Sequence, residues 1–244
     1  STTGGFSFME PMALPVQPTW GTLCVAPNGN LLICSRAVSG SSAVQISFNA
    51  QDPNATPTFP VTRSVAMGGS TSFSSFPNPA GLLGQMWIAC EPPGGPRPNH
   101  VYLLGSVNPP GADPLDVMFA RSTDGGFNWE PPLRINDDPL GRNAYQWFGT
   151  MAVAPNGRID AVWNDTRNDP TNQFSELFYA SSSDGGLTWT ENVAVSPPFN
   201  PSLGYPNQNK LGDYYDIISA DGAVHVAYAA TFNGEQDVYY LRIP

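Results

Sequence analysis

The sequence predicts an all-β fold, a β-propeller of four blades of about 61 residues each, and three observations predict it. First, Ser122–Trp129 and Ser182–Trp189 are copies of one phrase, S-x-D-G-G-x-[NT]-W. Each follows an alternating apolar stretch, Asp116–Ala120 or Glu176–Ala180, that reads as a strand. The two glycines allow positive φ, the Asp accepts bonds from the turn's own amides, and the Trp packs back under the strands. Second, Val25–Leu31, Val153–Ile159 and Ile218–Val224 keep step with that phrase as strand, Asn-Gly or Asp-Gly turn, strand. Third, 24 Gly and 26 Pro in 244 residues leave no room for long helices, while 41% hydrophobic residues with 13 Phe, 9 Tyr and 6 Trp supply a core.

Taken in order, the chain opens on Ser1–Phe8, a weakened copy of the turn with Thr3 in place of the Asp and Phe8 in place of the Trp. Blade one spans 18–67, where Ser47–Phe59, with Asp52 inside it, reads as an eroded turn. Blade two spans 82–136, with the Pro- and Gly-rich Glu91–Asn99 replacing the short turn; blade three spans 146–197 and blade four 209–244. Each repeat reads as strand 1, tight turn, strand 2, variable loop, strand 3, Asp-Gly-Gly turn, strand 4. The last stops after strand 3, Asp237–Ile243, and the chain begins with the turn and strand that it lacks. The N-terminal strand, residues 1–17 and chiefly Phe8–Val16, is therefore expected to complete the last blade and close one ring, a single domain over 1–244.

Charge and rare residues limit the chemistry. Twenty acids against ten bases, nine Arg and the single Lys210, give a net charge of −10. Without a basic stripe, a nucleic-acid or anionic-membrane partner is disfavoured. No apolar run approaches the ~20 residues of a membrane helix. A chain that opens on Ser1 with no leader is expected to be a processed or trimmed form. His100 and His225 are the only histidines, which disfavours a zinc centre or a Ser-His-Asp triad. Cys24 and Cys34 flank one hairpin and are in place to pair, but small buried thiols fit their registers better; Cys90 is then unpaired. No cofactor is expected. Calcium would find oxygens at Asn136-Asp137-Asp138 or Asn164-Asp165, though at no established spacing.

The repeat resembles the Asp-box, or BNR repeat, of bacterial sialidases and sialidase-like propeller proteins. The likeness covers the whole chain at repeat level and is strongest over Gln146–Asp216, in Gln146-Trp147-Phe148, Ala154–Arg158, Trp163–Asp169 and Leu211–Tyr214. It implies a secreted bacterial protein. It also implies a search for three arginines on one face to hold a substrate carboxylate, a Tyr nucleophile activated by a Glu, and an Asp as acid or base. Leu241–Pro244 is similar to the family's first-arginine phrase, but in register Arg242 falls on Arg121 and Ser181, at the wrong end of the blade, and reads as structural. The family normally has six blades where four are counted here.

The loops that lead into strand 1 and join strand 2 to strand 3 share one end of the blades, here called the loop face, and they vary in length. The stereotyped turns share the other, so function is expected on the loop face. It collects Trp20 and Arg36, Gln85 and Asn108, Gln146, Trp147, Asn164, Asp165, Arg167 and Asn168, then Lys210, Asp213, Tyr214, Tyr215 and Asn233. Arg36, Arg167 and Lys210 suit an anionic ligand, Trp20, Trp147 and Tyr214 suit stacking on a sugar ring, and Gln146 is a further ligand-binding candidate. Asp165, Asp213 and Tyr214 are the catalytic candidates should the protein hydrolyse glycosides. The competing reading is that Asp165 and Arg167 pair with neighbouring loops and hold blade three against blade four, and that Asp213 ties down the entry to strand 1. The expected function is binding of a carbohydrate or small anionic ligand by a monomer, with an exo-glycosidase and a non-catalytic interaction propeller as alternatives.

Overall fold

A computed structural model describes residues 3–205 and 208–244, and its regular structure is entirely β. Seventeen strands follow in chain order: β1 Leu23–Val25, β2 Leu31–Cys34, β3 Ser41–Ser47, β4 Val61–Ala66, β5 Phe73–Ser75, β6 Asn78–Leu82, β7 Trp87–Cys90, β8 Val101–Val107, β9 Asp116–Ser122, β10 Leu133–Arg134, β11 Gln146–Val153, β12 Ile159–Asp165, β13 Glu176–Ser182, β14 Val193–Ala194, β15 Asp216–Ala220, β16 Ala223–Ala230 and β17 Asp237–Ile243. They form antiparallel sheets in the order β1-β2-β3-β4, β7-β8-β9-β10, β11-β12-β13-β14 and β15-β16-β17, with a two-stranded ribbon β5-β6 between the first and second. The first three sheets match the expected four-strand repeat.

The sheets stack face on face, and the core lies between them. Leu32, Cys34, Val44 and Ile46 of the first sheet meet Met86, Ile88 and Leu103 of the second. Tyr102, Val117 and Phe119 of the second meet Met151, Ile159 and Ala161 of the third. Trp147, Val162 and Leu177 of the third meet Ile217, Val224 and Val226 of the fourth. Alternation along each strand thus supplies a forward face to the next sheet and a backward face to the previous one.

The Asp-Gly-Gly turns form as their sequence demands. The Oδ1 atom of Asp124 accepts from the Ser122 hydroxyl at 2.8 Å and from the amides of Phe127 and Asn128 at 3.1 and 2.9 Å. Asp184 repeats this with Ser182, Leu187 and Thr188. Burial pushes the Asp184 carboxyl up, but the bonds from Thr188, Ser182 and Leu187 outweigh it and hold it at about 2. In the first sheet the eroded copy is anchored by Asn49, two residues after Ser47 in the Ser122–Asp124 spacing. Its Oδ1 accepts from Ser47 and from the Thr58 amide, while Asp52 caps only Asn54.

Three expectations are corrected. The fourth sheet has three strands. Residues 3–19 form no strand, and the segment is tied instead to the first sheet, where the Gln45 amide brackets Val16: Val16 N–H donates to Oε1 at 2.9 Å and Nε2 donates to Val16 O at 2.8 Å. A closed four-bladed ring would lay the forward face of the fourth sheet on the backward face of the first. Val238 and Tyr240 on the former are 79% and 68% exposed and Leu23 on the latter is 60% exposed, so the series is open. The disulfide joins Cys24 to Cys90, with Cα atoms 5.9 Å apart, and Cys34 is the buried free thiol. Strands β1 and β7 are neighbours across the first inter-sheet contact, which brings together two cysteines about one repeat apart. No hairpin pairing of Cys24 with Cys34 occurs because β1 and β2 pair Cys24 with Leu32.

Candidate functional site

The candidate residues on the loop face fall into three groups. In the third sheet, β11 and β12 pair Gln146 with Asp165 and Trp147 with Asn164 at the end of the hairpin. Trp147 is fully buried and donates Nε1–H to the Ser175 hydroxyl at 3.1 Å. Asp165 is buried with both oxygens used. Oδ1 accepts from Gln146 Nε2 at 3.1 Å and the Arg167 amide at 2.8 Å, and Oδ2 accepts from Trp163 Nε1 at 2.9 Å and Arg167 Nε at 2.8 Å. Arg167, with a side chain 10% exposed, also meets Asp137 and Asp138 of the second sheet and lies 4.5 Å above the Phe178 ring. Burial opposes its charge, but Asp165, Asp137 and Asp138 outweigh burial and hold the guanidinium above its ordinary range. This group ties the second sheet to the third, where the competing reading of Asp165 and Arg167 expected a tie between the third and the fourth. Asn192 completes the tie, exchanging bonds with Asp137 on both its amide and its side chain.

The second group surrounds the ribbon. Lys210 Nζ donates to Asp213 Oδ2 at 2.6 Å, and Asp213 Oδ1 accepts from the Leu82 amide of β6 at 3.1 Å. Asn78, fully buried, donates to the Leu82 and Gly212 carbonyls at 2.6 and 2.8 Å and accepts from the Leu211 amide at 2.9 Å. A Cβ at Gly81 would press on the Gly212 carbonyl at 2.7 Å, so the close approach requires glycine there. Asp213 therefore anchors the ribbon to the loop before β15. Tyr214 is exposed, while Tyr215 is buried, accepts from Asn164 and donates to the Ala229 carbonyl, and burial pushes its phenol up.

The third group stands at the loop end of the first sheet. Trp20 precedes β1 with φ +51°, rare for a bulky side chain, and its carbonyl accepts from the Met86 amide at 2.7 Å. Arg36 follows β2, bonds through its amide to the Thr19 carbonyl, and stacks its guanidinium 4.6 Å from the centre of the Trp20 ring. Phe73 of β5 meets the same ring edge-on at 4.8 Å and is itself half exposed. Trp20 and Arg36 are both partly exposed, and the Arg36 guanidinium has no carboxylate or carbonyl partner among the described residues. The result is a fixed aromatic plane carrying an unneutralised cation.

Of the residues named from the sequence, Asn164 and Tyr215 meet in a 2.8 Å hydrogen bond that links the first group to the second. Arg167 and Lys210 are each occupied by carboxylates, and Arg36 alone of the three is not. The sequence reading did not single out Phe73, which sits in the Ser-rich stretch Thr71–Ser75 without alternation, or Arg142. The exposed Arg142 lines a polar recess of about 130 Å³ with Thr166, Arg167, Asp169 and Asn172. A concavity of about 530 Å³ lies at the opposite end, between Ser7–Met9 and the 50–57 loop, and its lining mixes Phe8, Met9, Pro53 and Pro57 with Ser7, Gln51 and Asp52 and holds no cation. It does not suit an anion. Among the described residues no group of three or more His, Cys, Asp or Glu is placed to hold a metal ion, Asp137–Asp138 and Asn164–Asp165 being engaged by Arg134, Arg167 and their neighbours.

The architecture is that of the sialidase-type β-sheet fold. The chain is similar to a Hadza microbial sialidase at 15% identity and a TM-score of 0.55, over 91% of this chain and 43% of that one. It is similar to the phage phi92 endosialidase at 12% and 0.55, over 91% and 35%, and to the NanB sialidase of Streptococcus pneumoniae at 13% and 0.51, over 91% and 31%. The chain therefore spans less than half the length of these proteins, and at such identities the likeness is one of fold. No protein-family model matches the chain, and no curated protein matches its sequence.

Proposed function

We propose that the four sheets are blades of a sialidase-like propeller, and that the loop end of the first blade binds a carbohydrate bearing an anionic group. The observation that carries this reading is the Trp20–Arg36–Phe73 platform. An aromatic plane suits the apolar C–H side of a pyranose, and a guanidinium beside it offers a bidentate fork to carboxylate or sulfate. Arg36 needs no partner broken before it can bind, unlike Arg167 and Lys210. The sialidases among the structural neighbours support a glycan as the ligand class. The Cys24–Cys90 bond supports an oxidising, extracytoplasmic location, in keeping with a secreted protein.

Hydrolysis has no comparable support in the geometry. Asp165 has both oxygens bonded within the protein, and Asp213 is paired with Lys210 and the ribbon. The test is binding of acidic and neutral oligosaccharides by glycan array and calorimetry. Trp20→Ala and Arg36→Ala are each expected to weaken binding of the acidic glycan about tenfold or more without shifting the melting temperature by more than a few degrees. Binding that survives both substitutions overturns the site. Retention of a neutral analogue by the wild type, with no gain from the acid group, overturns the anionic preference.

A further inference from the structure

The forward faces of the first and second sheets receive the same object, the Asp-Gly-Gly turn of the next sheet. Gly126 sits over Leu32 and Ile46, where a Cβ would come within 2.9 Å of a Leu32 methyl group. Gly186 sits against Phe119 so closely that any Cβ would strike the ring, and the Trp189 ring meets Phe119 edge-on at 5.2 Å. An arginine of the earlier sheet then caps the turn. Arg63 Nε donates to the Phe127 carbonyl at 3.0 Å, and Arg121 Nη1 to the Gly185 carbonyl at 3.3 Å.

Pairing registers transfer this pattern to the fourth sheet. Tyr102 pairs with Arg121 as His225 pairs with Arg242, and Leu104 with Phe119 as Ala227 with Tyr240. Tyr240 therefore stands where Phe119 receives Gly186, and Arg242 stands where Arg121 caps the turn. Tyr240 is held by a 2.7 Å hydrogen bond to His225 Nδ1, so the ring is oriented. Val238, Tyr240 and Ile218 are largely exposed on this face, and the Arg242 guanidinium, also exposed, has no partner among the described residues. The sheet has the receiving side of a contact used twice elsewhere in the molecule.

The other half is present at the start of the chain. Gly4 and Gly5 take φ of +65° and +92°, against +79° and +91° at Gly125 and Gly126. The Ser7 amide donates to Thr3 Oγ1 at 2.9 Å, as the Asn128 amide donates to Asp124. Phe8, standing where Trp129 and Trp189 stand, is 79% exposed, and Phe6 is almost wholly so. A formed turn with its aromatic residues in water and a bare face with the register to receive that turn lie on one chain without meeting. Two molecules satisfy both.

We propose that the forward face of the fourth sheet, built on Tyr240, Arg242, His225 and Ile218, is a docking surface for the N-terminal Gly4-Gly5 turn of a second copy of this chain. The contact joins unlike surfaces, so two copies either exchange turns reciprocally or add on in a row. Sedimentation velocity and light scattering across the micromolar range test it. Expected is concentration-dependent association that Arg242→Glu and Phe8→Ala each weaken about tenfold and that removal of residues 1–8 abolishes. A synthetic peptide of residues 1–12 should dissociate the assembly, and the same peptide with both glycines replaced by alanine should not, since a Cβ there meets the receiving ring and opposes positive φ. Arg242 lies on the surface, and its variant should keep the wild-type melting curve in dilute solution. A monomer at all concentrations overturns the proposal. So does association that persists without residues 1–8 or is indifferent to Arg242→Glu.

Discussion

The loop ends of the first and third sheets begin from nearly the same sequence, Trp20-Gly21-Thr22 and Phe148-Gly149-Thr150, and the same unusual backbone, with φ of +51° at Trp20 and +61° at Phe148. In the third sheet the aromatic is buried between Trp147 and Tyr215, and the nearby Arg167 is enclosed by three aspartates. In the first sheet the aromatic stays at the surface with Arg36 stacked on it and no aspartate in contact. One repeat has thus produced a tie and a platform from the same backbone. The difference lies in neighbours: the second sheet supplies Asp137 and Asp138 to the third, whereas the first sheet has only the Gln45-bound segment behind it.

That contrast fixes the order of expected effects. Arg167→Met should be the most damaging change, because it leaves Asp137 and the buried Asp165 without their cation and Asp138 with Arg134 alone; a loss of about 3–5 kcal/mol in urea unfolding is expected. Arg36→Met should cost under about 1 kcal/mol in the same assay, as a part-exposed cation–π contact allows. Equal losses would erase the distinction between tie and platform. The first sheet is held to the second covalently, so Cys90→Ser, which opens a separation of 66 residues, should cost up to about 4 kcal/mol and act on the platform's sheet, with glycan binding following stability. The smallest effect is on pH. The carboxyl of Asp184 is lowered to about 2, so its contribution is complete above the ordinary carboxylate range and is lost as pH falls from about 4 through 2. Asn49 occupies the corresponding place in the first sheet and does not titrate. Melting curves between pH 5 and 2 should show a decline that Asp184→Asn reduces and Asn49→Ala leaves in place.

What the sequence made legible was whatever repeats locally. The Asp-Gly-Gly and Asn-Gly turns carry their own hydrogen-bond partners within four residues, so the strand–turn–strand units were legible from the chain alone, while the fifth sheet, the ribbon β5-β6, was not. Ring closure was not legible. The missing fourth strand after β17 and the spare segment at the start matched in pattern, but the pattern does not say which sheet's face Val16 will meet, and Gln45, buried where the other sheets carry Ala120, Ala180 or Leu241, is what holds it. The cysteine pairing failed for a related reason. Cys24 and Cys90 are far apart in the hairpin sense and adjacent only because successive first strands lie side by side; their separation of about one repeat was the available signal. At the loop face, the polar, aromatic and basic residue types were legible. Their availability was not, since the partners of Arg167 come from another repeat and those of Asp213 from the unforeseen ribbon.

That ribbon bears on how the chain acquires its shape. Each sheet is built from residues close in sequence, and each successive contact adds only the next repeat, so most of the molecule can assemble from local pieces in any order. Asn78 and Leu82, however, bond to Leu211, Gly212 and Asp213, partners 131–134 residues further on. Closing that span costs more chain entropy than any single sheet, and the bonds have nothing to join until the fourth sheet exists. The ribbon is therefore the last element to lock in and the first to release, so the loop face becomes rigid only when the whole series of sheets stands behind it.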